Sequence, residues 1–438
     1  MYLSLRLQNA LIVNAVLFLA YYSLLIWSNN TYLYQLYEYM GASVRPVDIT
    51  FILTLPLLAV YSSFLCGDSI SKPGDVIVAL MVLVLFPHAI ILKGANQFSP
   101  DSEISAGIGL AVLLGVTLLA AANKVRFRKV AIYSSDATRY LRIAGFINVL
   151  VLLYIIWQSL SYFSFSYSDQ YVRRALARVT FPSGSPISYV ASVGTQAVFP
   201  VLFAWGIYKK HKAFFMMGIV NALVLWGAFG QKYPFIVLAL IFLLMSVMKR
   251  AGSVSIKWLL IVGMFSILAG AFEQELLGYS YINDYFLRRV FIVPSTLIGA
   301  AERYAQMFGW NFYGDTIVSL LMGSNRTESI TFLLGREMFS DTATNANVNY
   351  IAVAYLQFGY WGAVIESLVV ASMLMLMNGL YTSRNTEVAM PIALLLSTKI
   401  LEQSLSIVML SSGVLLMLIL LMVIAASSRQ VKEIPSEN

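Results

Sequence analysis

Long apolar runs separated by short polar breaks recur from one end of the chain to the other. Runs such as 50–66, 104–122 and 408–426 contain no charged residue. Each is long enough, or nearly so, to carry an α-helix across a ~30 Å hydrocarbon layer. Inside that layer every backbone donor and acceptor must be satisfied within the segment, so these runs predict helices. The period-two alternation of a membrane barrel is absent. The runs centre near residues 18, 58, 82, 113, 150, 197, 220, 241, 266, 365, 396 and 416, which predicts about twelve spans. The expected fold is all-α: a polytopic integral membrane protein in which residues 1–438 form a single membrane domain. The first run, 10–27, lacks a small-residue cleavage site and passes straight into Ser28-Asn29-Asn30, so it reads as the first span.

Composition agrees with that pattern. The chain is 59% hydrophobic and only 11% charged, with a mean hydropathy of +0.77, whereas soluble domains carry about 25% charged residues. Cys66 is the single cysteine, so no internal disulfide and no thiolate metal site is expected. With only His88 and His211, a multi-histidine metal site is not expected either, and no cofactor is implied. His88, after Pro87 in an apolar run, reads as a hydrogen-bonded core residue, and His211, inside a basic cluster, as an interfacial one.

The net charge of +8 would suggest nucleic acid if it were spread evenly. Instead the basic residues gather at alternate breaks: Lys124-Val-Arg126-Phe-Arg128-Lys129, Lys209-Lys210-His211-Lys212, Lys249-Arg250 with Lys257, and Arg429 with Lys432. The positive-inside bias makes that side the cytoplasm, with both termini inside, so much of the charge reports topology and no nucleic-acid partner is implied. Residues 427–438 then form a short cytoplasmic tail.

The opposite side departs from the bias. A loop at 165–186 carries Arg173, Arg174 and Arg178, and a loop at 274–346 carries Arg288, Arg289, Arg303, Arg326 and Arg336. Loops of the second kind are functional or have structure of their own, and 292–308 and 315–322 read as helical pieces. In the first loop Arg174 and Arg178, four apart, would share a helical face, with Arg173 about 100° away. Guanidinium groups bind phosphate through planar, bidentate, charge-assisted hydrogen bonds. Lipid headgroups, or Asp169, are the alternative partners. In the second loop Arg288-Arg289 precede an apolar run that ends at Pro294. Two such clusters on the disfavoured face point to an anionic, membrane-bound substrate.

Between them the turn Gly227-Ala-Phe-Gly230-Gln-Lys232-Tyr-Pro234 offers Lys232 as a phosphate ligand or as a snorkelling interfacial lysine. Candidate general bases are Glu273, Glu275, Asp284 and Glu302. Within apolar runs lie Glu366, Lys399 and Glu402, and the last two, three apart, read as a structural ion pair. Asn345, Asn347 and Asn349 would bind sugar hydroxyls or cap the tenth span. Some external tyrosines would stack on sugar rings or belong to the interfacial belt.

These pieces together resemble the Wzy-type O-antigen and capsule repeat-unit polymerases. The resemblance lies in the order of elements across most of the chain: the loop of Arg173 to Arg178, the Gly230-Gln-Lys232-Tyr turn, Arg288-Arg289-Val-Phe-Ile-Val-Pro294, and Asn347-Val-Asn-Tyr-Ile-Ala-Val-Ala-Tyr-Leu-Gln-Phe358-Gly359-Tyr-Trp-Gly362. It implies a metal-independent membrane glycosyltransferase of the polyprenyl-phosphate-using kind, like the GT-C enzymes, in the bacterial inner membrane. Its donor would be a glycan on undecaprenyl pyrophosphate, and its acceptor a single lipid-linked repeat unit. A chain-length regulator and a flippase of the same pathway would be its partners. The resemblance places the site in a cavity at the external boundary, under the long loop. Arg173, Arg174 and Arg178 are assigned to one pyrophosphate, Arg288, Arg289 and Lys232 to the other or the same one, and Glu275 or Asp284 to the acceptor proton. An O-antigen ligase would use the same donor but would be expected to show a histidine in the long loop, where 274–346 has none. A lipid-linked oligosaccharide flippase would predict charged spans and internal symmetry, and no internal repeat is evident. A non-catalytic scaffold would need no arginine clusters.

Overall fold

The computed structural model describes residues 2–36, 43–44, 49–93, 96–97, 107–125, 137–182, 185–315, 328–339, 345–384 and 387–427. The described chain is almost entirely helical, as its apolar runs require. Every one of the twelve predicted centres falls within an apolar helix. Among the described residues, nine helices are long and apolar enough to cross a membrane: Asn9–Leu36, Pro73–Leu92, Gly107–Lys124, Ala137–Ser159, Ser188–Lys209, Lys212–Phe229, Tyr233–Ala251, Ile256–Leu277 and Tyr350–Tyr381. Three shorter apolar helices, Phe51–Cys66, Ala389–Ile400 and Val414–Ala426, occupy the remaining predicted positions.

The helices turn large apolar side chains outward as well as inward. Leu57 is 72% exposed and Phe265 70% exposed, a surface that suits hydrocarbon rather than water. Inside, some of the buried polar groups join neighbouring helices. Asn378 accepts from the Gly74 amide and donates to Asn123, which donates to Asp75, each at 2.8 Å. That chain ties three helices together at one end, where an unpaired amide would be costly. The helix that contains Asn378 packs most closely on Gly107–Lys124.

Two short antiparallel pairings connect loops at the helix ends. Ser43–Val44 pairs with Asn96–Gln97, and Ser69–Ile70 pairs with Val254–Ser255. In strict alternation of sides the first pair joins two loops at one end and the second joins two loops at the other.

Tyr350–Arg384 is a single helix only in outline, because Phe358 (φ −152°) and Gly359 (φ +58°) leave helical geometry. The left-handed φ at Gly359 suits a residue without a side chain, and a Cβ there would lie 2.7 Å from the Trp310 ring. The carbonyls freed by the break are taken up by the long loop. Asn311 and Phe312 amides donate to Leu356 and Gln357 carbonyls at 2.9 and 2.7 Å. The Gln357 side chain donates to Asp315 at 2.7 Å and accepts from the Tyr313 amide at 2.8 Å. Loop and broken helix are thus one hydrogen-bonded unit.

The long loop holds the expected helical piece, Val293–Phe308. Asp315 sits in a turn, and the rest of the second expected piece, 316–322, lies outside the described residues, as do Arg326, Arg126, Arg128, Lys129, Arg429, Lys432 and residues 428–438 of the tail.

Candidate functional site

A cavity of about 520 Å³ opens between the two arginine loops and the helices beneath them. Arg174 and Arg289 both line it, with Gln231 and Tyr233 from the short turn, Gln196 and Asn221 from two helices, Lys399 from the end of a third and Glu402 from the turn that follows it.

The first arginine loop folds as the helix Gln170–Thr180. Its seating depends on Gly230, whose φ is +61° and whose missing Cβ would lie 2.6 Å from the Gln170 carbonyl oxygen. Arg174 Nη2 then donates to the Gly230 carbonyl at 3.0 Å, which holds the guanidinium at the cavity wall. The helix separates the three arginines expected to share one phosphate. Arg174 and Arg178 share a face of this helix, as expected, but Arg178 is exposed and does not line the cavity. Arg173 is 1% exposed, its guanidinium 5.3 Å over the Trp226 ring. Its three side-chain nitrogens have no hydrogen-bond partner among the described residues. A buried cation in that state costs several kcal/mol, of which a cation–π contact returns about 1–2 kcal/mol.

The second arginine pair lies on Ile282–Ile292, an eleven-residue π-helix. π-Helical turns are frequent at functional sites, and here the geometry gives the two arginines different surroundings. Arg288 pairs with Asp284 at 3.0 Å and bonds that residue's carbonyl at 3.1 Å. Arg289 is exposed to the cavity. A second π-helical turn, Gly194–Val198, carries Thr195 and Gln196 into the same wall.

Lys232 does not line the cavity. Its Nζ donates to Tyr167 Oη at 2.8 Å and sits 5.3 Å from the Tyr285 ring. That donation draws the Tyr167 phenol below its usual value. The expected bases also lie elsewhere. Glu275 accepts from Tyr32 Oη at 2.7 Å, and Asp284 accepts from Tyr279 Oη at 2.7 Å as well as pairing with Arg288. The bond to Asp284 pushes the Tyr279 phenol up to about 12. Neither carboxylate lines the cavity. Glu273 accepts from Ser280 and the Ile282 amide, and Glu302 pairs with Lys93 and accepts from the Ile108 amide. Asn349 caps its helix by accepting from the Ala352 amide at 3.0 Å. His88 is buried and bonded to the Val290 carbonyl, in keeping with a core role.

The sequence reading missed the contribution of Lys399 and Glu402. They were expected to pair with each other, but the helix Ala389–Ile400 ends between them and Glu402 falls in the following turn. Lys399 Nζ instead donates to Gln196 Oε1 at 2.6 Å and lies 4.5 Å over the Tyr233 ring. Charged residues at the end of an apolar run were the available signal, since intramembrane charges are functional by default.

The result is a concave site with three cations and one carboxylate on its walls, of a size that suits part of a large ligand. Compared with protein-family models, curated proteins and solved structures, the chain matches none of them.

Proposed function

We propose that this protein joins lipid-linked oligosaccharide repeat units, transferring a growing glycan from undecaprenyl pyrophosphate to the next unit at the external membrane face, as a Wzy-type polymerase does. The observation that carries the reading is the convergence of Arg174 and Arg289, from two separate loop segments, on one cavity. Cleaving the bond between an anomeric carbon and pyrophosphate leaves negative charge on the phosphate oxygens. Fixed guanidinium groups in a partly dehydrated wall stabilise that charge as it develops. The Arg173 guanidinium on the same helix, without a hydrogen-bond partner among the described residues, adds a second reason to expect an anion nearby.

The reading takes all twelve apolar helices as spans, with both termini in the cytoplasm. Two observations support it. Strict alternation puts each of the two strand pairings between loops on one side. It also puts Lys124, Lys209, Lys210, Lys249 and Arg250 on the side opposite the cavity, as the positive-inside bias requires.

The test is a reconstitution. Full-length protein in liposomes, given extracted undecaprenyl-pyrophosphate repeat units, yields a ladder of glycans spaced by one unit. A folded protein that makes no ladder from its matching unit, but moves the unit across the bilayer, would replace this reading with a flippase. Transfer to a lipid A-core acceptor alone would replace it with a ligase.

A further inference from the structure

If the site is a polymerase, the acceptor hydroxyl must lose a proton, and the groups that surround it decide where the proton goes. A useful base needs a carboxylate whose lone pairs are not already committed and which faces the reacting atoms. The acidic residues around the external end are mostly committed. Glu273, Glu275, Asp284, Glu302 and Asp315 each accept hydrogen bonds from neighbouring side chains or amides. Glu402 differs: it lines the cavity, and among the described residues its carboxylate makes no hydrogen bond and no ion pair within 4 Å.

Its freedom has a structural cause. The nearest ammonium, Lys399, is held away from it by Gln196, whose amide orientation is fixed in turn. Gln196 Nε2 donates to Ser192 Oγ at 2.9 Å, and Ser192 Oγ donates to the Ser411 carbonyl at 2.9 Å. Gln196 Oε1 is thereby left to accept from Lys399. The Tyr233 ring covers the same ammonium. Burial raises the Glu402 carboxyl above its ordinary value, and the Lys399 charge acts against that rise without occupying the carboxylate oxygens. The turn keeps Glu402 itself in place, with its amide donating to the Lys399 carbonyl at 3.1 Å.

We propose that Glu402 is the general base of the transfer, an assignment that rests on the polymerase reading above. The acceptor hydroxyl oxygen forms a bond to the donor's anomeric carbon. The bond from that carbon to the pyrophosphate oxygen breaks, and its electron pair leaves with the lipid pyrophosphate held at Arg174 and Arg289. The hydroxyl proton passes to a Glu402 oxygen and is released to water before the next cycle. Glu402, Arg174 and Arg289 all line the one cavity, so base and leaving-group ligands flank a single space.

The experiment uses full-length protein in liposomes with its matching lipid-linked unit. It compares wild type, Glu402→Gln and Glu402→Asp for elongation rate across pH and for thermal stabilisation by added inorganic pyrophosphate. Glu402→Gln keeps the shape and removes the base, so elongation falls about 10²-fold or more while pyrophosphate still stabilises the protein. Glu402→Asp recovers part of the rate. Wild-type elongation declines on the acid side as the carboxylate protonates, and this limb is absent from Glu402→Gln. The charged and titratable groups that line the cavity with Glu402 are Lys399, Arg174, Arg289 and Tyr233, and none of them is a carboxylate.

Elongation by Glu402→Gln within a few-fold of wild type, with the same acid limb, would overturn the assignment. So would loss of pyrophosphate stabilisation in Glu402→Gln, which would make the residue a support for binding. A wild-type protein that elongates nothing would instead remove the polymerase reading, so the two failures are distinct.

Discussion

The position of Arg174 depends on a contact that a single methyl group can break. In Gly230→Ala the new Cβ meets the Gln170 carbonyl oxygen at 2.6 Å and the Gln170 Cα at 2.9 Å, whereas ordinary contacts begin at 3.4 Å. The neighbour is backbone, so the helix Gln170–Thr180 must withdraw by roughly 0.8 Å. Two costs follow: about 1–2 kcal/mol for a left-handed non-glycine residue and about 1–3 kcal/mol for overpacking. Gly252 provides the control. Its φ is +71°, but nothing lies within 4 Å of its missing Cβ, so Gly252→Ala carries the backbone cost alone. Denaturant or thermal unfolding in detergent should therefore rank Gly230→Ala as the less stable by about 1–3 kcal/mol. Moving the helix also moves Arg174, and a displacement near 1 Å at a positioned group lowers rates by about 10²-fold. Glycan elongation should fall accordingly in Gly230→Ala and stay near wild type in Gly252→Ala. Equal stability and equal activity of the two variants would refute the close approach and the role given to it.

Other expectations follow from named groups. Arg173→Met removes a buried, unpartnered guanidinium, so ligand-free protein should gain about 1–4 kcal/mol in unfolding measurements. Glu302→Ala leaves the Lys93 ammonium buried without its carboxylate, at a cost of about 3–5 kcal/mol, which a melting curve would register. Gly359→Ala drives a Cβ into the Trp310 ring. It should loosen the long loop, seen as faster amide exchange at Asn311 and Phe312, with a stability loss of about 1–3 kcal/mol.

Hydropathy made the helices legible because the bilayer demands length and apolarity, and both are properties of a contiguous stretch. The two arginine loops stood out for the opposite reason, as clusters of cations in the breaks that the positive-inside bias would leave poor in them. What a linear pattern does not carry is which helix lies beside which. Nothing in the run around Lys399 says that Gln196 lies next to it. The expected Lys399–Glu402 pair assumed a helix through both residues, and the helix stops at Ile400. Likewise Arg174 and Arg178 share a face in any helix, but of the two only Arg174 lines the cavity. The Phe358-Gly359 break was not read from the sequence, because the Trp310 ring and the loop amides that meet it lie some fifty residues away.

The central claim is that Arg174 and Arg289, brought from different loops, act on one leaving group. The most direct measurement is the elongation rate of Arg174→Ala, Arg289→Ala and the double variant in liposomes with the matching unit, each checked for folding. The account predicts that each single variant loses about 10²–10³ in rate. It also predicts that the double variant loses clearly less than the product of the two, because the residues share one target. Single variants at wild-type rate, or losses that multiply independently, would contradict it.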